Sequence, residues 1–314
     1  MELVRQGRGH QSAVNAVRYS SDGNYCMSCG EDRTLRLWNP VKEDPASISQ
    51  PGNMLSITVY SGAHGHGVLD VCIARDNSRF ASCGGDRAAF LWDVASGRVV
   101  RKFQGHSHRI NAVAMNVDST VLATASYDKS LSLWDLRANG REAIQTFTDF
   151  RDSVSSVICT DSCIIAGSVD GSLRTFDLRS GLTHCDSLGD QQPITHVSIS
   201  NDGRSVLSVC MGGRLLLTDI ATGKVLNIYS GHRQENYKVE ARILSDDRHL
   251  ICGSEDGNIM MWDLVSARLR CSTRAHGKCV ASIASHPSSP QLLSAAADGL
   301  IKLWDFSASS ATCS

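Results

Sequence analysis

A short phrase that ends in tryptophan recurs through the whole chain, and it constrains the fold more than any other feature. All five tryptophans end such a phrase, and two related phrases end in Phe176 and Thr218 instead. The seven phrases end at residues 38, 92, 134, 176, 218, 262 and 304, so that successive ends lie 54, 42, 42, 42, 44 and 42 residues apart. A period of this length indicates a repeat architecture in which each repeat forms one small sheet.

Two further residue types follow the same period. An aspartate stands six residues before the end of six of the seven phrases, and only Gly212 departs from this pattern. In four repeats a histidine stands 22 residues before that aspartate. A repeat near 42 residues has room for four short strands joined by turns such as Asp22-Gly23. One four-stranded sheet cannot bury both of its faces alone, whereas seven sheets arranged around an axis can.

The repeats therefore predict an all-β fold, a single seven-bladed β-propeller over residues 1–314. The last repeat ends just after Trp304 and lacks a fourth strand, while the segment around Leu3-Val4 occupies the position of an outer strand. We expect this N-terminal strand to complete the last blade and close the propeller. The long first interval is explained by an insertion at residues 41–53, which we expect to be a flexible loop.

The overall charge and the apolar content argue against several classes of partner. A formal net charge of −1 gives no general attraction to nucleic acids or membrane surfaces. The start of the sequence lacks the apolar stretch of a secretory signal, and no apolar run approaches the roughly 18 residues of a membrane helix. The 12 cysteines are scattered, as is typical of a protein in a reducing compartment. We expect cytoplasmic and nuclear localisation, no direct nucleic-acid binding and no membrane partner.

The repeat resembles the WD40 family across essentially the whole chain, because Gly-His and Trp-Asp pairs follow one another in the order of that family. Within the family, the sequence is most similar to the mitogen-activated protein kinase organizer proteins. The phrases that carry this similarity include Leu37-Trp38-Asn39-Pro40, Ala166-Gly167-Ser168-Val169-Asp170-Gly171 and Gly231-His232 followed by Tyr237-Lys238. The resemblance implies a non-enzymatic protein-interaction scaffold for mitogen-activated protein kinase (ERK) modules, which is also associated with the spliceosome.

The resemblance also implies a hydrogen-bonded structural tetrad in four of the repeats. The four sets are His10, Ser28, Asp32 and Trp38; His64, Ser82, Asp86 and Trp92; His106, Thr124, Asp128 and Trp134; and His276, Ser294, Asp298 and Trp304. Ser, His and Asp also form nucleophilic triads, but an active site is not usually built four times in one chain. We therefore predict a chain that is not an enzyme and holds no cofactor. Repeats four and five lack the set, and we expect their blades to open more readily.

Two patterns resemble metal sites. The His-x-His motifs at 64–66 and 106–108 lie in equivalent loops, but the first histidine of each belongs to a tetrad. Cys26 and Cys29 have half of a zinc-ribbon spacing without a second pair, and they align with apolar or small residues of other repeats. We expect no metal site here and interpret these cysteines as core residues.

Partner binding is expected on the loops of one rim, which we call the top rim. It carries the loops that enter the first strand of each repeat and the residues before each repeated aspartate. The loop at 233–238 is two residues longer than its equivalents and is the best single candidate, with an ordinary solvated loop as the alternative. The predicted partner-binding residues are Asn15, Glu31, Arg109, Asn111, Tyr127, Met211, Arg233, Glu235, Tyr237, Lys238 and Glu255.

Other functions remain open from the sequence. A splicing component without a kinase role is one alternative. A substrate receptor of a cullin-4 ubiquitin ligase is another, because two consecutive repeats match the Trp-Asp-x-Arg wording of such receptors. The matching segments are Trp134-Asp135-Leu136-Arg137 and Phe176-Asp177-Leu178-Arg179. In each case the partners are proteins, either kinase-module or spliceosomal components, and we expect the propeller itself to be monomeric.

Overall fold

The computed structural model describes residues 1–45, 52–138, 140, 142–178, 181–187 and 192–306. Within these residues the regular secondary structure consists of β-strands alone. The 28 strands form seven sheets of four antiparallel strands. The predicted all-β, seven-bladed β-propeller is therefore confirmed. The extent of the domain to residue 314 stays a prediction, because residues 307–314 lie outside the described residues.

The seven sheets are numbered as blades 1 to 7, and their strands are given from the innermost to the outermost. Blades 1 to 4 contain β2 (Val14–Tyr19), β3 (Cys26–Gly30), β4 (Leu35–Glu43) and β5 (Met54–Tyr60); β6 (Val68–Ile73), β7 (Arg79–Gly84), β8 (Ala88–Asp93) and β9 (Val99–Gln104); β10 (Ile110–Met115), β11 (Val121–Ser126), β12 (Leu131–Asp135) and β13 (Gln145–Phe147); and β14 (Val154–Cys159), β15 (Cys163–Ser168), β16 (Ser172–Asp177) and β17 (Thr183–Ser187). Blades 5 to 7 contain β18 (Ile194–Ile199), β19 (Ser205–Cys210), β20 (Arg214–Asp219) and β21 (Val225–Ser230); β22 (Ala241–Ile243), β23 (His249–Gly253), β24 (Asn258–Asp263) and β25 (Leu269–Arg274); and β26 (Val280–Ser285), β27 (Gln291–Ala296), β28 (Leu300–Asp305) and β1 (Glu2–Arg8).

The N-terminal strand closes the ring of blades, as predicted. β1 pairs with β28 from Glu2 opposite Asp305 to Arg8 opposite Leu300. The same strand also touches blade 1, since the Arg5 guanidinium lies 2.8 Å from the Glu43 carboxylate. β1 therefore joins the last blade to the first, and it covers the edge of β28, which would otherwise expose unpaired backbone groups.

The apolar core lies between neighbouring blades rather than within one blade. A typical cluster joins Tyr60 of blade 1 to Val68, Phe80 and Trp92 of blade 2, all of which are fully or almost fully buried. In this cluster the rings of Phe80 and Trp92 stack with their centroids 5.6 Å apart. Because each blade buries its faces against both neighbours, the alternation of apolar residues in the sequence becomes a continuous core around the ring.

The innermost strands β2, β6, β10, β14, β18, β22 and β26 contact one another in turn and surround a central channel. Six of them shift their pairing register near the start, as β2 does between Val14 and Ala16. Such a β-bulge bends the strand and increases its twist. The two ends of each inner strand consequently face the two ends of the channel, which we call the upper mouth (on the top rim) and the lower mouth.

The turn at Gly23 shows why the repeat uses glycine there. Its φ is 74°, and its amide donates to the Ser20 carbonyl at 3.0 Å. A Cβ at this position would lie 2.3 Å from Nε2 of His286, which belongs to blade 7. Only glycine allows both the left-handed conformation and the close approach of the neighbouring blade.

The insertion at 41–53 is shorter as a loop than we expected. β4 continues to Glu43, which pairs with Met54 of β5, and Asn53 forms a parallel bridge with Gln6. The strand continues because β1 lies beside it and the amide of Gln6 donates to the Gly52 carbonyl at 2.9 Å. The expectation of a flexible loop falls on residues 46–51, which lie outside the described residues.

The cysteines in the described part of the chain are free thiols. Cys26 and Cys29 are fully buried in β3, and burial raises the pKa of both thiols above the ordinary value. Both therefore pack as small apolar residues. The described residues also contain no helix long and apolar enough to span a membrane.

Candidate functional site

Four blades bring the predicted tetrad residues together. In blade 1 the indole Nε1 of Trp38 donates to Oγ of Ser28 at 2.9 Å, and that Oγ lies 2.7 Å from Nε2 of His10. His10 Nδ1 lies 2.9 Å from the Asp32 carboxylate. The same three contacts occur in blade 2 through Ser82, blade 3 through Thr124 and blade 7 through Ser294, with distances of 2.5 to 3.0 Å.

Each tetrad orders its protons in one direction. The tryptophan donates to the hydroxyl, the hydroxyl donates to histidine Nε2, and histidine Nδ1 donates to the carboxylate. Burial lowers the pKa of His10, although Asp32 opposes this effect, and the neutral tautomer is therefore favoured. Burial by itself raises the pKa of the Asp32 carboxyl, but the His10 and Thr34 contacts more than offset this and lower it. Every buried polar atom that takes part in these tetrad hydrogen bonds has a partner, and the network therefore stabilises its blade.

This geometry is unsuited to nucleophilic catalysis at the four triads. The Ser28 and Ser82 side chains are fully buried, and each hydroxyl accepts a hydrogen bond from a tryptophan. A substrate carbonyl cannot reach an oxygen that is enclosed in this way, whereas catalysis requires the nucleophile to lie beside it.

Blades 4 to 6 lack the tetrad for different reasons. The position of the tetrad serine, ten residues before the end of the repeat, holds Ala166 in blade 4 and Cys252 in blade 6, whereas blade 5 keeps Ser208 but has Thr218 in place of the tryptophan. In blade 5 the buried hydroxyls of Ser208 and Thr218 have no hydrogen-bond partner, because no tryptophan or histidine faces them. In blade 6 the Trp262 indole donates to the Ser230 carbonyl instead, at 3.1 Å.

Blade 6 is not among the four predicted tetrads, and the structure shows none there. His232 stands 24 rather than 22 residues before Asp256, and Cys252 provides no hydroxyl between His232 and Trp262. Nε2 of His232 lies 3.4 Å from Oε1 of Gln234, and its Nδ1 has no hydrogen-bond partner among the described residues.

We expect blades 4 and 5 to exchange their amide hydrogens faster than blades 2 and 3. Blade 5 should exchange fastest, about tenfold faster or more, because its unpaired buried hydroxyls each carry a desolvation cost of about 1–3 kcal/mol. Native-state hydrogen exchange with peptide-level mass spectrometry measures this, comparing β15 and β19 with β7 and β11. Equal protection of all four strands would contradict the expectation.

The predicted partner-binding residues fall into two groups at the upper mouth. A cavity of about 650 Å³ opens there, and it is lined by residues from all seven blades. Eight of the predicted residues line it, while Arg233, Glu235 and Glu255 do not. Those eight are Asn15, Glu31, Arg109, Asn111, Tyr127, Met211, Tyr237 and Lys238.

Arg109 and Tyr127 form the most exposed aromatic and cationic pair of this surface. The Arg109 guanidinium lies 4.9 Å from the centre of the Tyr127 ring, which is 48% exposed. His108 contacts the same tyrosine edge-on, with the ring centroids 5.8 Å apart. The two neighbours restrict the rotamers of Tyr127 and leave the rest of its ring open to a partner. The role of His108 was not foreseen, because it was assigned to a His-x-His motif.

Asn15 and Asn111 form hydrogen bonds between neighbouring blades, which the sequence did not predict. The Asn15 amide donates to the Val68 carbonyl of blade 2 at 2.8 Å and to Glu31 at 2.9 Å. The Asn111 amide donates to the Val154 carbonyl of blade 4 at 2.8 Å. Both side chains therefore link neighbouring blades at the mouth, and their amide NH₂ groups are already occupied.

The long loop at 233–238 is held in one conformation by Glu255. One oxygen of this carboxylate accepts hydrogen bonds from the amides of Glu235, Asn236 and Tyr237 at 2.8, 2.6 and 2.7 Å. From below, the buried Gln234 amide donates to Thr195 at 2.8 Å. Glu255 thus acts on the loop rather than facing the mouth. The result is that Tyr237, 63% exposed, is presented on an ordered loop.

Arg233, Glu235 and Lys238 have partners of their own. Arg233 and Glu235 form an exposed ion pair, with Nε 3.2 Å from the carboxylate. Lys238 donates to the Ser155 carbonyl of blade 4 at 3.2 Å. An exposed pair of this kind contributes little stability, and it is easily rearranged when a partner binds.

The metal-like motifs do not form a metal site in the described part of the chain, where no group of three or more His, Cys, Asp or Glu could hold an ion. Both ring nitrogens of His64 are occupied, by Asp86 at 2.5 Å and by Ser82 at 2.7 Å. His106 is held in the same way in blade 3. Each histidine is therefore fully engaged in its tetrad.

The first Trp-Asp-x-Arg segment, residues 134–137, ends on the lower side, in the loop that follows β12. The carboxylate of Asp135 accepts hydrogen bonds from the amides of Arg137 and Ala138 at 2.7 and 3.2 Å, and Arg137 is exposed. The second segment cannot be compared, because Arg179 lies outside the described residues.

Comparisons with known proteins agree with this geometry. The family model "WD domain, G-beta repeat" matches residues 1–39, 56–93, 97–135, 223–263 and 268–305. The unmatched stretch from 136 to 222 contains blade 4 and the three inner strands of blade 5, the two blades for which no tetrad histidine was found, together with the outer strand β13 of blade 3. The match therefore follows the blades that have the full set of repeat residues, together with blade 6.

Whole-chain relatives carry the name WD repeat domain-containing protein 83. The human protein is 43% identical over 294 residues, covering 94% of this chain and 89% of the relative, and the rat protein is 42% identical with the same coverage. A homolog from Dictyostelium discoideum is 31% identical over 327 residues, covering 94% of this chain and 95% of the relative. The chain belongs to the WD40 repeat family, and within it to the family of the WD repeat domain-containing protein 83 sequences.

Proposed function

We propose that this chain is a non-enzymatic scaffold that binds protein partners at its upper mouth and brings them together in ERK-type mitogen-activated protein kinase modules. WD40 propellers generally mediate protein–protein interactions, and membership of that family supports the scaffold role. The kinase-module setting rests on the sequence resemblance. An association with the spliceosome, and residence in both cytoplasm and nucleus, are part of the same proposal.

The observation that carries the proposal is the pair of exposed tyrosines on an ordered frame. Tyr127 is held by Arg109 and His108, and Tyr237 is presented by a loop that Glu255 orders. Tyrosine provides a large contact area and loses little conformational entropy when it is already restricted. Together with Arg109 and Met211 around the cavity, these residues have the composition of an interface hot spot.

The charge of the mouth is mixed, which favours a protein partner over a nucleic acid. Glu31 and Asp152 line the cavity beside Arg109 and Lys238, so that two carboxylates balance two cations. A nucleic acid would meet these carboxylates without gaining a net positive surface, since affinity for phosphate backbones depends on neutralising them with Lys and Arg.

We expect Tyr127→Ala and Tyr237→Ala each to weaken partner binding by about 30-fold, since truncation of a hot-spot tyrosine costs about 2 kcal/mol. The melting temperature should change little, because both rings are largely exposed. Affinity purification with quantitative mass spectrometry identifies the partners, and calorimetry with the purified partner measures Kd.

Tyr25→Ala is the matched control. Tyr25 is 39% exposed and lies in the turn before β3, at the opposite rim of the propeller. It should leave partner binding unchanged. Capture of ERK-module kinases by the wild-type chain supports the proposal, while splicing factors without kinases would support the splicing role alone. Undiminished binding by both top-rim variants would place the site elsewhere.

A substrate receptor of a cullin-4 ubiquitin ligase is the second candidate function. It is favoured by the exposed Arg137 in the loop after β12, where it can meet an acidic partner. Recovery of a cullin-4 adaptor in the same purification, and its loss in Arg137→Ala, would support this candidate against the kinase scaffold.

A further inference from the structure

The lower mouth of the central channel is a cavity of about 480 Å³ with an excess of positive charge. Four cationic side chains line it, Arg18, Arg75, Lys238 and Arg242, and Asp70 is the one carboxylate among the lining residues that the structure describes. The upper mouth, by contrast, has two cations and two carboxylates. The two ends of one channel thus differ in charge.

Arg18 lines this cavity and forms ion pairs with both nearby carboxylates, Asp70 and Glu240. Its two terminal nitrogens donate to both oxygens of Glu240 at 2.8 Å, and one of them also donates to Asp70 at 2.7 Å. Glu240 further accepts from the Ser282 hydroxyl at 2.6 Å, and the second oxygen of Asp70 accepts from the Val113 amide at 3.2 Å. All four carboxylate oxygens of Glu240 and Asp70 therefore already accept at least one hydrogen bond.

Arg242 lies beside this network without an anion of its own. It is half-buried, and its guanidinium makes no hydrogen bond or ion pair with any residue that the structure describes. Burial lowers the pKa of Arg242 and the neighbouring Arg18 guanidinium lowers it further, while the charges of Glu240 and Asp70 only partly offset these effects. A partly desolvated cation next to another cation is costly unless a counter-ion compensates for it.

His196 lines the same cavity and is exposed to the same positive charges. Burial lowers the pKa of His196 well below the ordinary value; the Glu240 carboxylate, 3.7 Å away, opposes this, and the charges of Arg242, Lys238 and Arg18 lower the pKa further. Its Nδ1 is buried and has no hydrogen-bond partner. Arg75 adds an exposed guanidinium at the rim of the cavity, again without a side-chain partner among the described residues.

We propose that the lower mouth binds a small phosphate-bearing anion, with Arg242 and Arg75 as its principal ligands and Lys238 as a further cation. Guanidinium groups match the geometry of phosphate oxygens and donate two parallel hydrogen bonds to them. The terminal nitrogens of Arg18 are already bonded to Glu240 and Asp70, so that Arg18 contributes charge rather than hydrogen bonds from these nitrogens. The anion supplies the direct partner that Arg242 lacks among the described residues.

Calorimetry and thermal denaturation test this site with two probes, inositol hexakisphosphate and a phosphoserine peptide, in phosphate-free buffer with chloride at equal ionic strength as reference. At least one probe should bind with 1:1 stoichiometry and raise the melting temperature, because a ligand that binds only the folded state stabilises it. Tighter binding of the inositol phosphate identifies a free metabolite as the source, and tighter binding of the peptide identifies a modified protein segment.

Arg242→Gln should weaken binding by about tenfold or more, since a charged hydrogen bond contributes about 1.5–3 kcal/mol. Without a probe, this variant should melt no lower than the wild type, because it removes a cation that repels Arg18. Arg75→Gln, at an exposed position, serves as a second variant that cannot disturb the core.

Arg248→Gln is the matched control. It removes the same charge from an exposed residue of blade 6, in the turn between β22 and β23, and Arg248 does not line the cavity. Its affinity for the probes should equal that of the wild type. The proposal is overturned if neither probe binds better than chloride, or if Arg248→Gln weakens binding as much as Arg242→Gln.

Discussion

Deletion of residues 1–8 is expected to lower the melting temperature by on the order of 10 °C. The deletion removes β1, which pairs with β28 over almost its whole length. Several backbone hydrogen bonds, each contributing about 1 kcal/mol, are lost together, and a domain of this size loses about 2–4 °C per kcal/mol. The contacts of β1 with blade 1, including the Arg5–Glu43 ion pair, are lost as well.

The double substitution of Leu3 and Val4 by alanine is the control for this deletion. Both side chains are more than 40% exposed, so that their truncation removes little buried area while the strand and its pairing remain. The control should melt within a few degrees of the wild type. An unchanged melting temperature after the deletion would show that the ring does not depend on closure by the N-terminal strand.

Ser82→Ala is expected to lower the free energy of unfolding by about 3 kcal/mol. It removes the oxygen that accepts from Trp92 at 2.8 Å and lies 2.7 Å from His64. Both partners are then left buried without a hydrogen bond, and each such group costs about 1–3 kcal/mol. Equilibrium unfolding in urea measures the change.

The matched control for Ser82→Ala is Cys252→Ala in blade 6. Cys252 occupies the equivalent position and is also fully buried, but Trp262 donates to the Ser230 carbonyl instead of to it. The control therefore creates a small cavity without leaving the indole unpaired, and it should cost only about 1 kcal/mol. Equal losses in the two variants would mean that the tetrad adds nothing beyond packing.

The fold could be predicted from the sequence because its repeat places one kind of residue at one position in every blade. The tryptophans, aspartates and histidines each follow the period, and the structure confirms seven blades and closure by β1. Blade 6 shows how far the period reaches. Trp262 and Asp256 follow it, but His232 is displaced by two residues and Cys252 replaces the serine, so that only the structure shows that the Trp262 indole bonds to the Ser230 carbonyl instead.

The candidate site was predicted less completely, for a physical reason. The period gives the rim on which a residue lies, so that eight of eleven residues do line the upper mouth. It does not give the partner of each polar group. Glu255 orders a loop and Asn111 links two blades, and these bonds arise between segments that are distant in sequence.

What the sequence by itself determined is the repeat, and with it the number of blades, their closure and the rim that carries the variable loops. These features follow from local periodicity, because equivalent positions in the repeats hold the same residue types and pack in the same way in each blade. The tertiary structure alone decided the channel. Arg18, Asp70, Glu240 and Arg242 come from three blades. Arg18 and Arg242 stand at equivalent positions of their repeats, as do Asp70 and Glu240, but the period does not say which of these charges meet. Only the closed ring brings Arg18 within hydrogen-bond distance of Asp70 and Glu240 and leaves Arg242 without a direct bond to either carboxylate, because electrostatic balance depends on distance in space rather than position along the chain.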